Sequence, residues 1–172
     1  MAKKKLEPRV AIVMGSDTDL PTMTESAKTL AELKIPYEIE ITSAHRSPKR
    51  TSDYSAQAAR RGLRVIIAGA GGAFHLAGVI ASETTLPVIG VPMETSPLSG
   101  LDSLLAAVQM PGGVPVGVMA IGKAGAVNAA VFAAQILATS DKAVAKRLRQ
   151  YKAKLAAEVV EKSSRMKREF GL

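Results

Sequence analysis

The run Val10-Ala11-Ile12-Val13-Met14-Gly15-Ser16-Asp17-Thr18-Asp19 decides how this chain is read. Five uninterrupted apolar residues suit a strand buried on both faces. The glycine and the capping-type residues Ser16, Asp17 and Thr18 suit a tight turn into a helix, and Pro21 falls where that helix has its first turn. The theme repeats along the chain. Strand-length apolar runs at Tyr37–Ile41, Val65–Ala70, Val88–Val91 and Val116–Ala120 alternate with longer segments of helical spacing. Alternation of this kind predicts βαβ units, whose right-handed crossovers build a parallel sheet with helices on both faces.

The expected fold is therefore α/β, a three-layer doubly wound parallel sheet of flavodoxin-like order with an extra C-terminal helix. Pro48 opens a helical segment that ends near Gly62, and Asp102 or Ser103 is the expected cap of a helix over Leu104–Met110. The segment from Lys123 to Ala138 is apolar nearly all round, which predicts cover by a neighbouring subunit as well as by its own sheet. Beyond Asp141, Val144, Leu148, Tyr151, Leu155 and Val159 are spaced at threes and fours among basic residues, the pattern of an amphipathic helix. The chain divides into a flexible basic arm (1–8), a catalytic domain (9–140) and a basic C-terminal helix (141–172). At 172 residues it is of single-domain size.

Composition narrows the functions. The formal charge of +8 points toward nucleic acid until it is located. Basic and acidic residues number four and one over 1–9, nine and ten over 10–140, and ten and four over 141–172. The centre is near neutral and only 3% of residues are aromatic, so no stacking groove for nucleic acid is expected. The longest weakly charged stretch, Ser103 to Ala138, is broken by Pro111, Pro115 and several glycines, which argues against a membrane span. There is no cysteine, which removes disulfides and thiolate metal sites and suits the cytoplasm. The charged start, followed by a short apolar run, does not read as a signal peptide.

Ligands of parallel α/β sheets bind outside the carboxyl ends of the strands, so the loops there are where chemistry is expected. Gly15-Ser16-Asp17-Thr18-Asp19 lets the backbone approach a ligand at a helix start, although the same residues serve as ordinary caps. Thr42-Ser43-Ala44-His45-Arg46-Ser47-Pro48 puts a hydroxyl, an imidazole and a guanidinium within four residues, a set able to grip a phosphate and move a proton near neutral pH. Gly69-Ala70-Gly71-Gly72-Ala73-Phe74-His75 is a third glycine-rich loop opening a helix. Three such loops in succession favour one composite site. Dinucleotide and P-loop fingerprints are missing, as are zinc-ligand spacings and a Gly-x-Ser-x-Gly elbow. Read from its residues, the chain binds a phosphorylated small molecule and does acid–base chemistry on it.

The motifs Met14 to Asp19, Ser43-Ala44-His45-Arg46 with Pro48, Ala68 to His75, Pro87 to Pro92, Leu101 to Leu105, Val108 to Val116, Ala120-Ile121-Gly122, Gly125-Ala126 and Asn128-Ala129-Ala130 resemble one family throughout. It is the class I N5-carboxyaminoimidazole ribonucleotide mutases of purine (IMP) biosynthesis, also described as the catalytic subunit of phosphoribosylaminoimidazole carboxylase. The resemblance implies a homo-octamer that converts N5-carboxyaminoimidazole ribonucleotide to 4-carboxy-5-aminoimidazole ribonucleotide without ATP, metal or other cofactor. It also implies a functional link to the ATP-dependent synthetase that makes the carbamate. By the same resemblance Ser16, Ser43 and Arg46 hold the phosphate, Asp19 holds ribose hydroxyls, His45 is the general acid/base, and Gly71, Gly72 and His75 close around the substrate. The related class II carboxylases, which use carbon dioxide directly, typically carry Lys where this chain has Arg46. A phospho-ligand sensor on the same scaffold is the non-enzymatic alternative.

The chain departs from the family pattern in the third loop. It reads Ala73-Phe74-His75-Leu76-Ala77-Gly78 where Ala-Ala-His-Leu-Pro-Gly is usual, and Thr18 and Ser47 also differ. The expectation is that the Phe74 ring lodges beside the site or at a subunit contact, and that loss of Pro at 77 loosens the helix start.

Overall fold

The computed structural model describes residues 7–172, so all but the last two residues of the predicted basic arm lie outside the described residues. Five parallel strands, β1 (Val10–Met14), β2 (Tyr37–Ile41), β3 (Val65–Ala70), β4 (Val88–Pro92) and β5 (Gly117–Val118), form one sheet in the order β2-β1-β3-β4-β5. That is the flavodoxin-like order, with its switch point between β1 and β3. The helices are α1 (Leu20–Glu32), α2 (Pro48–Ala58), α3 (His75–Glu83), α4 (Leu101–Ala107), α5 (Gly122–Ala138) and α6 (Lys142–Glu169).

The sheet separates two cores because side chains alternate across it. Val10, Ile12, Met14, Val65, Ile67, Ile89 and Val91 meet α1, α5 and the start of α6. Ala11, Val13, Ile66, Ala68, Ala70 and Val88 meet residues of α2, α3 and α4. Strands buried on both faces have no polar side to show, which is why they read as continuous apolar runs. Complete burial of Ile12, Ile67 or Ile89 contributes about 1.5–3 kcal/mol each. β2 is the edge strand and keeps charge: Tyr54 donates to Glu38 at 2.6 Å, and Arg61 and Arg50 pair with Glu38 and Glu40.

Two element expectations are corrected. The fifth strand is confined to Gly117–Val118, paired with Ile89 and Gly90, because it follows Pro115 and meets β4 over so short a stretch. The fourth helix starts at Leu101 and ends at Ala107, with neither Asp102 nor Ser103 as its cap. Gly100, at φ +84°, turns the chain into the helix, and the Ser103 hydroxyl bonds instead to the Met93 and Gly100 carbonyls, tying the helix to the end of β4.

α5 packs through Ala126, Ala129, Ala130, Ala133 and Ala134, all fully buried, and Ser26 of α1 donates to the Ala126 carbonyl at 2.6 Å. Its apolar circumference is thus largely covered by its own sheet, α1 and α6, with Phe132 left partly exposed. α6 begins at Asp141, whose carboxylate accepts from the amides of Ala143 and Val144 and from Arg9 at 2.6 Å. Val144 and Leu148 join the core, whereas Leu155 and Val159 of the predicted stripe are exposed. No described helix is long and apolar enough to cross a membrane.

Candidate functional site

The loops after β1, β2 and β3 meet at the carboxyl edge of the sheet. In the first, Ser16 caps a single 3-10 turn, Asp17–Asp19, its hydroxyl oxygen accepting from the Thr18 amide at 3.3 Å. Asp19 follows at only 5% exposure. Burial pushes its carboxyl above the ordinary range, a backbone hydrogen bond at Ser16 opposes that in part, and Asp17 adds to it.

The second loop is stiffened from within and tied to the first. The Thr42 amide extends the ladder to the Met14 carbonyl at 3.0 Å, and the Thr42 hydroxyl meets that of Thr51 at 2.8 Å. Ser47 accepts from the Ser43 amide at 3.0 Å and donates back to the Ser43 carbonyl at 3.1 Å. Its amide donates to the same carbonyl. Arg46 donates from its amide to the Ser43 hydroxyl at 3.2 Å and from Nη2 to the Gly15 carbonyl at 2.9 Å. Its Nε also donates to the Ser43 hydroxyl at 3.5 Å, and the guanidinium's remaining N–H donors stay available to an anion.

In the third loop, Gly72 at φ +56° and Phe74 at φ +54° turn the chain sharply into α3, and the Phe74 amide donates to the Gly71 carbonyl at 3.1 Å. His75 is the first residue of that helix. Its Nδ1 lies 2.6 Å from His45 Nε2, with the rings edge to face. A neutral pair of this kind holds one hydrogen between the two nitrogens. Whichever ring donates, the two remaining nitrogens are one N–H donor and one lone-pair acceptor.

These groups line one cavity of about 420 Å³ that includes every residue predicted for the site: Ser16, Asp19, Ser43, His45, Arg46, Gly71, Gly72 and His75. Thr95, just beyond β4, lines it too and was missed. A Cβ added at Gly71 would fall 1.7 Å from the Thr95 hydroxyl oxygen, so the absence of a side chain at 71 is what admits Thr95 to the wall. The signal was present in the sequence, since Glu94-Thr95-Ser96 is the loop after a fourth parallel strand. Phe74 also contributes to the wall, and at 5% exposure its ring is buried beside the site, the first of the two placements expected for it. Among the described residues no group of three or more His, Cys, Asp or Glu side chains is placed to hold a metal ion.

The AIR carboxylase family model matches residues 9–158. The N5-carboxyaminoimidazole ribonucleotide mutase of Thermotoga maritima is 54% identical over 159 residues, covering 92% of each chain. The mutase of the same name from Bacillus subtilis is 50% identical, covering 94% of this chain and 99% of its own. The crystal structure of Treponema denticola PurE superposes with a TM-score of 0.83 at 27% identity, covering 93% of this chain and 99% of that one.

Proposed function

The chain belongs to the AIR carboxylase family, and on that premise we infer that it is an N5-carboxyaminoimidazole ribonucleotide mutase of purine biosynthesis, an ATP-independent isomerase. The observation that carries this reading is the His45–His75 pair, at 2.6 Å, in the wall of a cavity that also presents Ser16, Ser43 and Arg46. The two hydroxyls and the guanidinium take the substrate phosphate, and buried Asp19 takes ribose hydroxyls.

The reaction conserves protons. Breaking the carbamate C–N bond releases carbon dioxide and leaves the exocyclic nitrogen short of one hydrogen. Ring carbon four then forms a new C–C bond to the same carbon dioxide and must lose its own hydrogen. A group that accepts a proton at carbon four and returns one at nitrogen completes the exchange. His45 is that group, and its hydrogen bond to His75 provides an acceptor and a donor together. Gly71 and Gly72 keep the cavity wall close to the ring, and the phosphate anchor positions the substrate without touching the reacting atoms.

The fitting setting is a homo-octamer in the cytoplasm, fed with carbamate by an ATP-dependent synthetase. Uncovered apolar side chains support assembly: Leu98, Leu101, Leu105 and Val108 around α4, and Val159, Val160 and Phe170 along distal α6.

His45→Asn tests the assignment. Turnover should fall by about 10²–10⁴-fold while nucleotide affinity stays within a few-fold, because proton transfer is lost and the phosphate anchor is kept. A variant retaining turnover would remove His45 from the chemistry, whereas a wild-type protein that binds the nucleotide without turnover would favour the phospho-ligand sensor.

A further inference from the structure

We propose that Phe74 is a positioning residue for the reaction, its buried ring fixing the start of α3 and so holding His75 against His45; this rests on the mutase reading above. The local backbone is unusual. Phe74 lies in the left-handed region at φ +54° and ψ +26°, a conformation that bulky residues rarely adopt and that surrounding structure must enforce.

The enforcing contact is visible on the far side of the residue. A Cβ placed on Gly90 of β4 would come within 2.9 Å of Phe74 Cζ, 3.0 Å of Cε1 and 3.1 Å of Val116 Cγ1. The ring tip therefore occupies the notch left by the missing side chain at Gly90, beside Val116, the residue before β5. α3 has no side-chain cap, so its start is held by the Phe74 amide's bond to the Gly71 carbonyl and by burial of the Phe74 ring with Leu76. The peptide link from Phe74 leads straight into His75, whose Nδ1 must stay 2.6 Å from His45 Nε2. Seating the ring in the sheet thus fixes the direction in which the imidazole leaves the backbone. A displacement of about 1 Å here is large for proton transfer.

The expected kinetics separate positioning from substrate binding, because the phosphate anchor belongs to the first two loops. Phe74→Ala should lower kcat at least tenfold with KM within twofold, and Phe74→Leu, which refills the notch, should recover most of it. Gly90→Ala reaches the same point from a residue outside the cavity wall and should also lower kcat at constant KM. Phe74→Ala combined with Gly90→Ala should be no slower than the worse single variant, since both act through one ring. Wild-type turnover by Phe74→Ala, or losses that multiply in the double variant, would overturn the proposal.

An inactive wild-type protein would instead refute the mutase reading. The positioning claim would still be decided by ¹⁵N NMR of the ring nitrogens. The chain has two histidines only, and Phe74→Ala should abolish the signature of their shared hydrogen while the wild type keeps it. An unchanged spectrum would overturn it.

Discussion

Asp19 shows what the site costs its own fold. The carboxyl is buried at the end of the first loop, and desolvation raises its pKa in the folded protein above the unfolded value. A raised carboxyl pKa means that the folded chain holds the proton more tightly. Stability contributed by the neutral form is therefore lost as pH rises from the unfolded carboxyl range through the folded pKa, so that burying this carboxyl opposes folding toward neutral pH. Asp19→Asn should accordingly raise Tm at pH 7 by a few degrees, with the gain shrinking as pH falls into the range where both states protonate. The same variant should bind nucleotide about tenfold more weakly, because one carboxyl oxygen that accepts from ribose hydroxyls is replaced by an amide nitrogen that cannot. Calorimetry and titration check the two halves. A lower Tm with unchanged affinity would make Asp19 a turn residue and nothing more. Most of the site was legible at this scale, since Ser16, Ser43, His45 and Arg46 are unusual residues at strand ends. Thr95 was not singled out: its place after a fourth strand was a positional signal, but one hydroxyl in a loop carries no chemistry of its own until Gly71 is seen beneath it.

Among the elements, legibility followed the strength of the local cause. β1, β3 and β4 are buried on both faces, so their apolar runs fix them within a residue. β5 was overread because Val116 to Ala120 is apolar enough for a longer strand, whereas only Gly117 and Val118 meet β4 in register. The start of α4 was misplaced for a different reason. Ser103 has the chemistry of a cap, but its hydroxyl is committed to the Met93 carbonyl, a contact that exists only once β4 and α4 are side by side. α6 makes the complementary point. Its stripe identified one face correctly, but spacing cannot say what covers that face. Val144 and Leu148 reach the core of this subunit, and Arg147 donates to the Leu33 carbonyl at 2.6 Å, while Leu155 and Val159 remain exposed.

At the scale of the whole molecule, order and handedness follow from the repeating βαβ units, and they place the first three loops side by side at the switch point of the sheet. Residues 30 apart in sequence, His45 and His75, share a hydrogen there because β1 lies between β2 and β3 and short loops leave both strands at the same edge. Assembly belongs to this scale as well. The apolar faces of α4 and distal α6 predict a large, monodisperse oligomer by light scattering, and a monomer at micromolar protein would contradict the octamer. The reaction itself is tested most directly by an ATP-free assay of the purified protein with freshly made N5-carboxyaminoimidazole ribonucleotide, run beside one with aminoimidazole ribonucleotide and bicarbonate. The mutase assignment predicts that the carbon-carboxylated product, followed by its ultraviolet absorbance, forms faster from the carbamate; product arising only from the decarboxylated substrate and carbon dioxide would contradict it.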